Sequence, residues 1–411
     1  MTPRPRQRLY TTARSYASLV GAGIGLGARD AVPSLERTLE STLRVPHAVA
    51  MPMARTALYF AVRALIRPGQ TVILSPYTIA DVVNMVICAG GVPVFADIER
   101  STCNIDATQV ERLLDDRTGA VLVTHFYGLS CDVVAIREMC RRRKVPLIED
   151  AAQAFGTTVA GQAAGTFGDV GVYSFGLFKN VTSFLGGAAV TSRAEIAAAM
   201  RAECAKLPME SVTHLGERAL SGLVADVTTH PAAFPLTYAA LRSVSLRSPT
   251  FIAQGMAIDT NPELRRTMPA RYLHRMRPVQ ARMIERQLPR VAAHNALRAR
   301  AAEVYHARLN DIAELVLPPL RGDGSHIYTY YAIQAENRVA LVRHLIEQRR
   351  DVAVSHHKNC ADMACFAEFH RNCPNAAAAA RTLIYLPTYP SYGLEEVART
   401  AAAIRSFYGR S

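Results

Sequence analysis

The sequence predicts an α/β fold around a mainly parallel sheet, and three observations predict it. Short apolar runs recur with the length of strands, among them TVIL at 71–74, VPLI at 145–148, VGVYSF at 170–175 and AAVT at 188–191. Strands buried on both faces of a parallel sheet read in this way. Stretches with helical apolar spacing stand between the runs, as at Leu35, Leu39 and Leu43 within 32–43. Polar groups gather where runs end: Glu149-Asp150 closes the run at 145–148, Ser174 sits near the end of the next, and Lys179 follows within a turn. In α/β sheets functional groups collect at the carboxyl ends of strands, so a carboxylate, a hydroxyl and a lysine reach one sheet edge together.

The chain has 411 residues, enough to bury a large core and form two lobes. Half are hydrophobic and a fifth charged, as in a soluble globular enzyme. The net charge of +13 points to an acidic partner, whether a phosphorylated substrate, a nucleic acid or an anionic membrane surface. No RNP-like, zinc-finger or helix-turn-helix signature accompanies it, which removes nucleic acid from that set. Eight cysteines are scattered without CxxC spacing, the usage of a reducing, cytoplasmic compartment. The cluster His356-His357…Cys360…Cys365…His370…Cys373 fits no standard zinc template and reads as a loop near a site mouth; no metal is expected.

Taken in order, residues 1–29 form a basic arm with Arg4, Arg6, Arg8 and Arg14, followed by a Gly-rich run at 17–27 too short to span a bilayer. A helix at 32–43 and a strand at 48–51 lead to Ala54-Arg55-Thr56, which opens a helix ending at Leu65. A strand and turn at 71–76 precede Tyr77-Thr78-Ile79. Strands follow at 92–97 and 121–128, the latter carrying His125, whose place in a strand marks it as a satisfied structural residue. Arg141 to Lys144 end a helix, where positive charge complements the dipole. Residues 203–271 hold two apolar stretches, 220–227 and 232–241, that read as a helical excursion. One role for it is to cover the core or a dimer seam; the sharper one is an amphipathic surface that docks a membrane. A helix running to Leu309, a strand at 327–334 and helices at 340–350 and 394–407 complete the chain.

The trio at the sheet edge suits pyridoxal phosphate (PLP), which needs a lysine amine for its Schiff base, an acid opposite its pyridine nitrogen and hydroxyls for its phosphate. Phe175, Leu177 and Phe178 favour the uncharged amine that attacks an aldehyde. Asp150 is the pyridine partner, and Gln153, one turn on, is placed to hydrogen-bond the ring hydroxyl. The order Glu149-Asp150-Ala151-Ala152-Gln153-Ala154, Gly168-Asp169, Ser174-Phe175, Lys179-Asn180 and Gly186-Gly187 resembles the signature of the DegT/DnrJ/StrS family of PLP-dependent sugar aminotransferases. The resemblance covers most of 30–200 and 270–411.

That resemblance implies a fold-type-I PLP enzyme. It has a large α/β/α domain at 30–200, a helical insertion at 201–270 and a smaller C-terminal α/β domain at 271–411. It implies a homodimer and a reaction in which an amino acid such as glutamate aminates a keto group of a nucleotide-linked sugar or cyclitol; the cysteine usage adds a cytoplasmic location and the apolar stretches at 220–241 a peripheral membrane contact. Lys179 holds the cofactor and shuttles the proton. Ser174 and Thr56 bind phosphate, and Arg55, standing with Ala54 where the family has Gly-Thr, adds a bidentate contact. The family stacks an aromatic on the ring; here either Tyr77 supplies it or Ile79 replaces it with an aliphatic contact. Phe184-Leu185 in place of a glutamate-bearing turn, Leu273 in place of an asparagine and Thr329 in place of a histidine point to a divergent branch with a substrate less polar than a nucleotide sugar. Two other outcomes remain open. One is dehydration, against which the retained Lys179 argues because family dehydratases carry histidine there; the other is a catalytically silent scaffold.

Overall fold

A computed structural model describes residues 2–9, 11–12, 15–17, 30–247, 262–354 and 356–410. Arg14, the Gly-rich run from 18 onward and the end of the excursion at 248–261 lie outside them. The principal sheet is built from seven of the strands β1 (His47–Met51), β2 (Thr71–Leu74), β3 (Tyr77–Thr78), β4 (Val92–Phe95), β5 (Thr118–Thr124), β6 (Leu147–Asp150), β7 (Thr158–Val159), β8 (Gln162–Ala163), β9 (Val170–Ser174) and β10 (Gly187–Thr191). Its order is β1-β10-β9-β6-β5-β2-β4, and from β9 to β4 every pairing is parallel. Only β10 runs against its neighbours β1 and β9. β7 and β8 form a separate hairpin.

The unbroken apolar character of these strands follows from burial on both faces. Val72 and Leu74 face a cluster with Ala57 and Val83, whereas Ile73 between them faces a cluster with Val110 and Ile136. Helices Ala54–Leu65 and Ala80–Cys88 cover the first face, and Ala107–Leu113 and Val133–Arg143 cover the second. The arginines ending Val133–Arg143 are solvated, Arg141 pairing with Glu138 and Arg142 with Glu111.

A second, antiparallel sheet joins β11 (Leu315–Val316), β12 (Tyr331–Ala335), β13 (Ala353–Val354) and β15 (Leu383–Leu386) in the order β11-β12-β15-β13. The remaining strand, β14 (Lys358–Asn359), reaches across to β3, setting Lys358 opposite Thr78 and Asn359 opposite Tyr77. The strand expected at 327–334 begins only at Tyr331. The amides of Ile327 and Thr329 instead donate to the carbonyls of Gly128 and Tyr127, which draws this stretch onto the principal sheet's edge. The helix expected to reach Leu309 as one piece starts at Val291, after a 3-10 turn at Leu288–Arg290 containing Pro289; proline lacks the amide that helical bonding uses. Helix Pro278–Glu285 packs on Ala31–Leu43, beside the principal sheet, while Val291–Leu309 packs on Leu394–Phe407. The packing therefore favours a change of lobe near Val291 rather than at Arg271. The basic arm lies on the second lobe: Arg6 Nε donates to Asp351 at 2.8 Å, and the Tyr389 hydroxyl donates to the Pro5 carbonyl at 2.9 Å.

Candidate active site

The carboxyl ends of β6 and β9 lie side by side at one edge of the principal sheet. Asp150 is the last residue of β6 and Ser174 the last of β9, with Asp150 opposite Val172 in the ladder. Strand alternation then separates the acidic pair. Glu149, fully buried, turns away and accepts from the amides of Gly165 (2.8 Å), Phe167 and Gly168 (2.6 Å each) and lies 3.0 Å from His125 Nε2. His125 Nδ1 accepts from the Cys131 amide, so this histidine is a structural brace. Among the described residues the Asp150 carboxylate accepts only the Ala152 amide, at 3.0 Å.

Lys179 rides on the loop between β9 and β10. The loop is closed at its base by Phe175 N–H to the Gly186 carbonyl and Ser183 N–H to the Phe175 carbonyl, both 2.8 Å. The Asn180 amide pins it to the Phe155 carbonyl at 2.8 Å. Phe178, just before the lysine, has φ of 64°, and Phe184 further along has 66°. Large side chains in this left-handed region carry strain of about 1–3 kcal/mol each, and such strain concentrates at functional sites.

Burial lowers the Lys179 amine from 10.5 to about 8; the charge of Arg55 pushes the same way and Asp150 opposes both. At pH 8 roughly half of the amine is then uncharged, the form that attacks a carbonyl. Burial raises the Asp150 carboxyl, while the Ala152 amide and then the Lys179 and His125 charges pull it back. His356 is lowered to about 4 by burial and by Lys179, and His357 lies well below the ordinary imidazole value. Both imidazoles are neutral near pH 7.

A cleft of about 1060 Å³ adjoins these groups through Arg55 and His356, which line it and lie within electrostatic reach of Lys179; Lys179, Asp150 and Ser174 are not themselves in its lining. Its volume is at the upper end for a ligand site and ample for a cofactor with a second ligand. Six cations line it, Arg55, Arg218, Arg265, Arg271, Lys358 and Arg381, against three acids, Asp81, Glu217 and Asp362. The first amides of helix Ala54–Leu65 have no carbonyl a turn earlier to bond, which makes its start an anion site. Gly187 brings β10 directly against it: a Cβ there would lie 2.5 Å from the Met53 carbonyl carbon and 2.6 Å from the Ala54 nitrogen. An amine beside a buried carboxylate, a hydroxyl at a strand end and a helix start cradled by glycine fit the functional groups of PLP.

The residues expected from sequence divide. Lys179 and Asp150 are brought within electrostatic reach of one another, and Ser174 keeps its hydroxyl part-exposed at the same edge. Gln153 is held on three sides: its Oε1 accepts the Tyr127 amide at 3.2 Å, its Nε2 lies 3.3 Å from His357 Nε2, and its carbonyl accepts the Thr329 hydroxyl at 2.8 Å. Thr56 departs from expectation. Its hydroxyl is fully buried and donates to the Tyr272 carbonyl at 2.6 Å, so that proton is not available to a phosphate. Tyr77 departs as well. It is fully buried against Phe126 and His357, with its hydroxyl 2.9 Å from that of Tyr127, and Ile79 rather than Tyr77 lines the cleft. Phe184, taken as a sign of an apolar substrate, instead buries itself against Leu215, Val279 and Met283, where it docks the excursion. The cleft wall is cationic. Sequence reading missed Asp81 and Arg265, which line it; His356, read as part of a loop near a site mouth, lines it as well.

The sequence profile of the DegT/DnrJ/EryC1/StrS aminotransferase family matches residues 26–405. The chain belongs to that family. Its cofactor is PLP, and its members are aminotransferases with a mixed α/β fold and a mainly parallel central sheet. The DegT/DnrJ/EryC1/StrS relatives include the UDP-N-acetyl-3-dehydro-alpha-D-glucosamine 3-aminotransferase of Acidithiobacillus ferrooxidans, 28% identical over 90% of this chain and 87% of that protein. The GDP-perosamine synthase of Vibrio cholerae is 37% identical over 39% of this chain, and the match spans 44% of that relative's length, less than half. S. venezuelae DesV superposes with a TM-score of 0.77 at 23% identity over the whole of both chains, a likeness of fold. No helix among the described residues is long and apolar enough to cross a membrane.

Proposed function

We propose that this family member aminates the keto group of a sugar carried on a nucleoside diphosphate, with glutamate as the amino donor. One observation carries the reading: an amine lowered to about 8 stands within electrostatic reach of a buried carboxylate and of Arg55, one of six cations lining the neighbouring cleft. The cations favour a substrate with a charged tail. The relatives named for GDP- and UDP-linked sugars support a nucleotide carrier.

Bound PLP would supply the electron sink that lets a proton leave the carbon bearing the amine. The chain's own groups do the rest. Asp150, kept from water, holds a proton on the pyridine nitrogen facing it. Lys179 carries the cofactor and then, uncharged, takes and returns the proton at the substrate carbon. Gln153, fixed by the Tyr127 amide and His357, orients the ring hydroxyl. Ser174 and the start of helix Ala54–Leu65 bind phosphate, and Ile79 supplies the aliphatic contact on the ring.

The same reading makes the protein a cytoplasmic homodimer and gives the excursion's exposed apolar stripe to contact with a membrane surface. Purified enzyme incubated with glutamate and a GDP- or UDP-linked keto-sugar should yield the amino-sugar nucleotide and 2-oxoglutarate by mass spectrometry. Glutamate consumed with no nitrogen found on any sugar nucleotide would overturn the substrate class.

A further inference from the structure

Asp81 organises a group of charges in the cleft lining to which the reaction above gives only a general attraction for anions. It lies in the first turn of helix Ala80–Cys88 and is buried. Arg55 Nε is 2.7 Å from its Oδ2, Arg265 Nη1 is 2.6 Å from its Oδ1, and the Tyr272 hydroxyl donates to Oδ2 at 3.1 Å. Arg55 comes from the start of helix Ala54–Leu65, and its guanidinium lies over the Tyr272 ring, 5.4 Å from the centroid. Arg265 comes from the segment returning from the excursion, and the helix that carries Asp81 seats that segment too. Asn84 donates to the Glu263 carbonyl and accepts the Arg265 amide, both at 2.8 Å, and Cys88 Sγ donates to the Arg265 carbonyl at 3.3 Å. Positions 81, 84 and 88 share one helix face. One face of one helix thus sets two guanidinium groups at the cleft.

The charges there do not balance. One carboxylate faces two guanidiniums in a partly desolvated place, which leaves an excess positive charge that a bound anion would relieve. Among the described residues neither terminal nitrogen of Arg55 has a hydrogen-bond partner, and about a third of its side chain (32%) remains exposed. Arg55 also stands next to Thr56, whose hydroxyl proton is taken by Tyr272. A planar fork of donors therefore occupies the place where a hydroxyl would otherwise meet a phosphate.

We propose that Arg55 and Arg265 form a phosphate clamp and that Asp81 is its positioning residue. The phosphate belongs either to the cofactor or to the diphosphate of the substrate. The clamp rests on the cofactor assignment above, and its test keeps the two apart by using pyridoxal, which has the same aldehyde and no phosphate.

Cofactor-stripped wild type, Arg55→Met, Arg265→Met and Asp81→Asn are titrated with PLP and with pyridoxal by visible absorbance, and with UDP by calorimetry. A cofactor clamp predicts that Arg55→Met loses about 10- to 100-fold in PLP affinity, the range of one or two charge-assisted bonds, with pyridoxal affinity kept. Asp81→Asn should fall in the same direction by less, and Arg55→Lys should recover part of the loss. A substrate clamp predicts the same loss for UDP with PLP unchanged. Unchanged binding of both phosphates in all variants overturns the clamp, as does equal loss of PLP and pyridoxal, which reports general damage to the pocket. Wild type that takes up neither aldehyde overturns instead the cofactor assignment on which the clamp rests.

Discussion

At the residue scale, Lys179 reports on its neighbours. Its amine is lowered by burial and by Arg55 and held up by Asp150, so the pH at which the stripped enzyme captures an aldehyde is set by three named causes. The midpoint for capture should lie near pH 8. Asp150→Asn removes the one anion that favours the charged amine and should move the midpoint lower, while turnover falls on the order of 10²–10³-fold with the loss of a preorganised charge. A stopped-flow pH profile measures both; a midpoint near 10.5 would mean an ordinary solvated lysine. The placement of Lys179, Asp150 and Ser174 at one sheet edge was legible in the sequence because Asp150 and Ser174 close apolar runs and Lys179 follows within a short loop. Asp81 and Arg265 were not, since 184 residues separate the partners and neither side chain is unusual alone. Thr56 and Tyr77 misled for a related reason. Their types suit a phosphate and a ring, yet the one is turned to the Tyr272 carbonyl and the other into a buried cluster by contacts remote in sequence.

At the element scale, the strands could be read because burial on both faces demands unbroken apolar runs, and the helix at 394–407 because its apolar spacing is regular. The segment at 327–329 could not, since its amides bond to residues 127 and 128 from the other lobe. The excursion is the element whose role the fold leaves most exposed. Leu220, Leu223, Val224 and Val227 recur at helical spacing on Val212–Thr228, and all four are exposed, as is Leu236 on the next helix, Phe234–Arg247. The opposite side of the first helix packs by Leu215 against Phe184, and its first turns supply His214, Glu217 and Arg218 to the cleft. A stripe of that kind, in a chain of charge +13, suits an anionic bilayer surface. Wild type should be a dimer by light scattering and should pellet with vesicles containing anionic lipid. A Leu220→Asp, Val224→Asp double variant should stay dimeric and remain in the supernatant. Wild type that does not pellet removes the membrane role, and a variant that falls to monomers moves the stripe to the dimer seam.

At the scale of the whole molecule, the two sheets and the excursion share the work around the lysine and the cleft that adjoins it. The principal sheet delivers Asp150, Ser174 and Lys179, β14 and the loop before it bring Lys358 and His356 across from the second lobe, and the excursion closes one wall. This arrangement supports the proposal that Lys179 acts on a bound aldehyde, and the visible spectrum tests that most directly. Wild type with PLP should show a lysine-linked absorption band that glutamate converts to that of the amine form, and Lys179→Ala should fail to form the band. A wild type that stays colourless in the presence of PLP, or a Lys179→Ala variant with an unchanged spectrum, would contradict it.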